Sequence, residues 1–192
     1  MKKTILTGLL TAGFSMGLMA QGLIAMDNSN GTGSSTATTK GLIFLQGATT
    51  VPETAATLHA ALLGGSSATS LALLNASGAA ANSGSVLMDN LGPGQYTDDN
   101  GYSYIVPNVA GGGTAFFQLE VWAGNFTSMA AAQAAGQAVG MSTVFSETVG
   151  GGTATPPSLD AMPAIIMTVP EPGTFALAGL GAAAMLIFRR RK

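Results

Sequence analysis

Phe117, Leu119 and Val121 alternate with Gln118 and Glu120 in the stretch Ala115-Phe116-Phe117-Gln118-Leu119-Glu120-Val121-Trp122. A period of two puts the apolar set on one face of a half-buried strand. Short apolar or alternating segments also occur at Gly41–Gln46, Thr57–Leu63, Ser85–Met88, Tyr102–Val106, Thr114–Trp122, Ser142–Glu147 and Pro163–Val169. Clusters of Gly, Pro, Asn and Ser separate them and mark turns. Asp99-Asn100-Gly101 is the sharpest turn signal, since Asn and Gly accept positive φ, and it predicts a hairpin joining Gly94–Thr97 to Tyr102–Val106. Ser128–Ala138 predicts a short helix, favoured by its alanines and weakened by Gly136. Seven or eight short strands with one helix predict a mainly β fold: a single antiparallel β-sandwich of jelly-roll character over residues 41–168.

The two ends follow another pattern. Met1-Lys2-Lys3 precedes an almost uncharged apolar stretch from Ile5 to Ala20, which reads as a secretory signal peptide over residues 1–25. Cleavage fits after Ala20 or after Ala25, and Leu18 and Leu23 are equally imperfect at the third position back. Asp27 to Lys40 is small and polar, so residues 26–40 are expected to form a flexible linker outside the folded body. Gly150-Gly151-Gly152-Thr153-Ala154-Thr155-Pro156-Pro157 reads as a loop.

At the other end, Val169-Pro170-Glu171-Pro172-Gly173-Thr174 is followed by an apolar run from Phe175 to Phe188 and then by Arg189, Arg190, Arg191 and Lys192. As a helix those 14 residues would be about 21 Å long at roughly 1.5 Å per residue, against a hydrocarbon core of roughly 30 Å. That length suits a marginal, transmembrane-like anchor. The terminal cations hold their end in the cytoplasm, and with Lys2 and Lys3 on the same side the middle of the chain falls outside. Pro170 and Pro172 keep the intervening backbone extended, in a form a processing enzyme can grip.

This order of motif, apolar run and basic stop, over residues 169–192, resembles the PEP-CTERM sorting signal. The resemblance implies an exported protein of a Gram-negative bacterium, recognised and cut by an exosortase at the envelope. An uncut tail anchor is the competing reading, and it leaves the Pro-Glu-Pro placement unexplained. Gly113-Thr114-Ala115-Phe116-Phe117-Gln118-Leu119-Glu120-Val121-Trp122, the Ala- and Gly-containing segment through Gly136, and Gly140-Met141-Ser142-Thr143-Val144-Phe145 before Pro156-Pro157 are also similar to the β-sandwich ectodomains carried by such proteins. That second likeness brings no catalytic residues.

Once the ends are set aside, charge excludes a class of partner. Between Met26 and Pro170 there is one cation, Lys40, against eight acids: Asp27, Glu53, Asp89, Asp98, Asp99, Glu120, Glu147 and Asp160. A body so acidic repels nucleic acid, whose binding relies on clustered Lys and Arg. The absence of cysteine excludes disulfides and a lipid-bearing cysteine.

Candidate chemistry in the body is sparse. A single histidine, His59, excludes a multi-histidine zinc site, and its position on the face opposite Leu58 and Leu62 fits an ordinary packed side chain. No G-x-S-x-G elbow surrounds any serine. Asp98-Asp99-Asn100-Gly101, with Asp89 and Asn90 nearby in the chain, is the one oxygen-rich cluster. Asp98, Asp99 and Asp89 are thus weak candidates for calcium, although the EF-hand spacing and its distal Glu are missing. A hairpin turn with Asx hydrogen bonds is the favoured explanation of the cluster. Tyr96, Tyr102, Tyr104 and Trp122 could form a sugar-stacking platform or belong to the core.

The expected protein is therefore non-catalytic, without a cofactor, and exported first as an inner-membrane-anchored precursor and then to the cell surface. Its expected partners are an exosortase-type enzyme, the membrane transiently at both termini, and exopolysaccharide. A structural or adhesive role in the matrix of a biofilm leads. A carbohydrate- or calcium-binding module comes second and an extracellular hydrolase third.

Overall fold

The computed structural model describes residues 21–29, 41–45, 57–76, 86–151, 155–170 and Met185. The signal-peptide region before Gln21, the helix expected over Phe175–Phe188 and the cations Arg189, Arg190, Arg191 and Lys192 lie outside the described residues, apart from Met185. Among the described residues no helix is long and apolar enough to cross a membrane.

The chain runs through β1 (Gln21–Ala25), β2 (Ile43–Leu45), β3 (Leu58–Ser67), β4 (Ser70–Leu73), β5 (Asn75–Ala76), β6 (Val86–Gly92), β7 (Gln95–Asp98), β8 (Ser103–Ala110), β9 (Thr114–Ala123), α1 (Met129–Ala134), β10 (Val139–Met141), β11 (Phe145–Thr148) and β12 (Ile165–Met167). The fold is mainly β with one short helix, as the pattern predicts. Its largest sheet has the order β10-β9-β3-β6-β7, with β11 also on β9 and β4 also on β3. A second sheet is ordered β1-β8-β5, and β12 pairs with β2 in parallel. That parallel pair departs from the all-antiparallel expectation. It arises because β2 and β12 come from opposite ends of the body and enter side by side, with Ile165 opposite Ile43.

β9 shows the predicted phase. Phe117, Leu119 and Val121 are buried, and Gln118 and Glu120 on the other face are only partly covered. Its neighbour β3 sends Leu58, Ala60 and Leu62 into the same core, with Ala60 opposite Val121 and Leu62 opposite Leu119. β1 and β8 add Ile24, Tyr104 and Val106 to that core, so the two larger sheets share one apolar interior. Within β3, Gly64 and Gly65 occupy positions where a Cβ would sit 2.8 Å from Leu74 Cδ1 and 2.5 Å from Ser70 O respectively. Only glycine lets β4 fold back this closely over β3.

Ser128 caps α1, its Oγ accepting from Ala131 N at 3.2 Å, and Gly136 ends the helical region at φ 73°. The helix lies over the outer face of β9, where Trp122 packs with Ala132, Ala61 and Val139 in a small second cluster. Trp122 is thus buried on the face opposite Leu119, and its Nε1 donates to Phe126 O at 2.9 Å.

Three expectations are corrected. The expected linker at 26–40 begins inside the body: past the end of β1 the chain stays in the interior at Met26, which is 1% exposed, and at Asn28, which is also buried. Asn28 Nδ2 donates to the carbonyls of Gly41 and of Gly94, and its Oδ1 accepts from Tyr96 N. A polar residue read as a solvated linker is here the acceptor and donor that backbone groups from separate segments require. The expected hairpin between β7 and β8 is absent. β7 pairs with β6 through the turn at 92–94, whereas β8 pairs with β1 and β5. Asp99-Asn100-Gly101 does turn the chain, with Gly101 at φ 62°, but it carries the chain from one sheet to the other. The expected strand Ser142–Glu147 straddles a break between β10 and β11, both on β9. There Ser142 Oγ accepts from Leu119 N at 2.9 Å, taking the place of a ladder bond.

Candidate functional site

The sorting end grows directly out of the fold. β12 lies beside β10, and just past it Thr168 and Val139 exchange backbone bonds, Val139 N to Thr168 O at 3.0 Å and Thr168 N to Val139 O at 2.7 Å. Thr168 is the last described residue held by the body in this way. Val169 is 50% exposed, and Pro170, lacking an N–H, cannot extend the pairing. Glu171 and Pro172 fall outside the described residues. The motif therefore begins one residue beyond the last backbone anchor.

The acidic turn is divided by the fold. Asp98 is 2% exposed and points inward, where its Oδ2 accepts from the Tyr104 hydroxyl at 2.5 Å and its Oδ1 from Asn100 N at 2.9 Å. Asp99 and Asp89 are exposed, and Asn100 Nδ2 donates to Asp99 Oδ1. Among the described residues no three acids or histidines come together as a metal-ligand group. Burial, with the Asp98 hydrogen bond and charge behind it, pushes the Tyr104 hydroxyl well above the usual tyrosine range. Asp98 thus closes the corner between β7 and β8 and has one carboxylate oxygen committed to a buried hydroxyl.

The ring platform does not form as a unit either. Tyr96, Tyr104 and Trp122 are buried, leaving Tyr102 partly exposed. His59 stacks on Trp122 with ring centroids 6.3 Å apart, on the face opposite Leu58 and Leu62, as the pattern predicts. Its Nδ1 is buried without a hydrogen-bond partner.

Beside Trp122 an open cleft of about 300 Å³ is bounded by Leu63 and Leu73 on one side and by Thr127 and Ser128 on the other, with Glu120 in its wall. That volume is at the lower end of ligand sites, which run from roughly 300 Å³ upward. Burial raises the Glu120 carboxyl above its ordinary value. No Lys or Arg occurs among the described residues to pair with it. Sequence reasoning placed Glu120 on the outer face but missed the cleft, because its other walls come from the unrecognised β4 and from the loop that leads into α1. The expected strand Pro163–Val169 took in Thr168, but nothing in Met167-Thr168-Val169 marks it as the residue at which the pairing ends.

Residues 168–192 match the family model of the PEP-CTERM protein-sorting motif. The match begins at the residue where the body's backbone pairing ends. This class of motif implies exosortase-dependent sorting of an exported protein from a membrane-anchored precursor to the cell surface. Comparisons with curated proteins and with solved structures returned no match.

Proposed function

We propose that this chain is a non-catalytic structural or adhesive protein of the cell surface or exopolysaccharide matrix, its body a jelly-roll-like sandwich and its precursor cut by an exosortase-type enzyme near Val169–Pro172. The observation that carries the reading is the join at Thr168. The last inter-strand bonds lie on one side of it, and an exposed Val169 with a pairing-incompetent Pro170 lies on the other. A cut there removes the apolar run and leaves the described strands intact. A basic, marginally long anchor suits temporary residence in the inner membrane.

A matrix role draws on the acidic body, which repels like-charged nucleic acid, and on a hydroxyl-rich, lysine-poor surface. The cleft at Glu120 supports a second reading, a module for a small polar ligand such as a sugar unit. Replacing Pro170 and Pro172 by alanine tests the leading reading. The variant precursor should stay in the membrane fraction with its tail attached, while the unaltered chain is released. Equal release of both would remove the motif from the account.

A further inference from the structure

We infer that the N-terminal processing site is the Ala20–Gln21 bond, so that the mature chain begins with β1. The inference rests on the reading of the chain as an exported precursor and adds to it the identity of the bond cut. By residue type the two candidate sites are equivalent: Leu18-Met19-Ala20 before Gln21, and Leu23-Ile24-Ala25 before Met26. The fold separates them.

Cleavage after Ala25 would remove β1, which is paired on both edges. On one edge it runs antiparallel to β8, with Leu23 opposite Ile105 and Ile24 opposite Tyr104. On the other, Leu23 and Gly150 exchange backbone bonds at 2.8 Å in both directions, and Ala25 N donates to Pro157 O at 2.9 Å. Ile24, fully buried, would be lost from the core.

The new chain end is the sharper problem. Hydrolysis of a peptide bond leaves an α-ammonium on the residue after it. After a cut at Ala25 this charge would fall on Met26, 1% exposed, whose carbonyl accepts from Asp98 N at 3.0 Å. Met26 belongs to the hydrophobic core, and an ammonium on the backbone of a core residue is unfavourable. After a cut at Ala20 the same charge falls on Gln21, which is exposed at the edge of the sheet and sits at a register shift in the β1–β8 pairing. Water hydrates it there without loss.

An exposed N-terminal glutamine has a further consequence. Its α-amino nitrogen can attack the side-chain amide carbon and expel ammonia, closing a neutral five-membered lactam. The Gln21 side chain is exposed, which leaves it room to fold back on its own α-amino group.

Intact-mass measurement and N-terminal sequencing of the protein recovered from the native cell surface test the inference. The expected start is Gln21, open or cyclised with loss of ammonia. A start at Met26, at any other residue, or at Met1 with the leader retained would overturn it. Ala20→Leu supplies a second arm: unprocessed precursor should accumulate, and folded protein starting at Met26 would again overturn it. The C-terminal mass in the same spectrum reports the exosortase cut separately, so failure of one reading is distinguishable from failure of the other.

Discussion

The Tyr104 hydroxyl donates to Asp98 Oδ2 at 2.5 Å across the corner where β7 gives way to β8, and both side chains are almost fully buried. Tyr104→Phe should cost about 1–3 kcal/mol, because it leaves a buried carboxylate oxygen short of a donor. The pair also sets an alkaline limit. The folded state keeps the Tyr104 proton above the ordinary value of 10.0, where an unfolded chain releases it. The resulting stability is fully present below that value and is lost as pH rises beyond it. Thermal melts should therefore fall steeply on the alkaline side of pH 10.0 and less steeply in Tyr104→Phe. Identical slopes would show that the pair does not govern this limb.

Asn28 links the segment after β1 to Gly41, Gly94 and Tyr96. Asn28→Ala should destabilise by about 2–4 kcal/mol, since several buried backbone groups lose partners at once. Asn28→Asp keeps the acceptor for Tyr96 N but loses both donations, and places a carboxylate beside two carbonyls. It should be no better than alanine at neutral pH in denaturant titrations. A silent alanine variant would return this segment to the linker that its composition suggests.

Leu119 and Glu120 occupy opposite faces of β9. Leu119→Asp should abolish folding, because an unpaired buried carboxylate costs several kcal/mol, comparable with a small domain's stability of about 5–15 kcal/mol. Glu120→Gln should be nearly silent at neutral pH or slightly stabilising. Glu120 has its folded value raised by burial, so the fold holds its proton after the unfolded chain has lost it. Stability therefore declines as pH rises through that window. The glutamine variant should lack this acidic-side component in melts across the range. Equal damage from the two substitutions would contradict the strand phase.

How far the sequence carried these conclusions differs from element to element. β9 and α1 were legible because each satisfies its pattern locally, by alternation in one and by a serine cap with alanines in the other. β1 was hidden because Leu23, Ile24 and Met26 continue the apolar run of the expected leader, and composition cannot show where such a run stops and a strand begins. Asp99-Asn100-Gly101 specified a reversal correctly but not a partner, since the partners of β8 lie far away in the chain. The sorting end was fully legible as a motif. Its relation to the body depended on Thr168, whose importance is a matter of pairing.

Calcium should shift the melting temperature little. Asp98 is turned inward to Tyr104, leaving Asp99 and Asp89 as separate exposed carboxylates, whereas calcium takes six to eight oxygens. A ligand stabilises only as its concentration exceeds its dissociation constant. A shift of several degrees at about millimolar calcium, the range of weak extracellular sites, that disappeared in Asp99→Asn would place a metal at this turn and favour the binding-module reading. Asp99→Asn is the informative variant because it spares the Asp98–Tyr104 pair.

The most direct test of the account is the C-terminal mass of the protein taken from outside the cell. Cleavage by an exosortase-type enzyme predicts a chain ending within Val169–Pro172, beyond Thr168, and lacking Phe175–Lys192. Recovery of extracellular protein that still carries Phe175–Lys192 would contradict it.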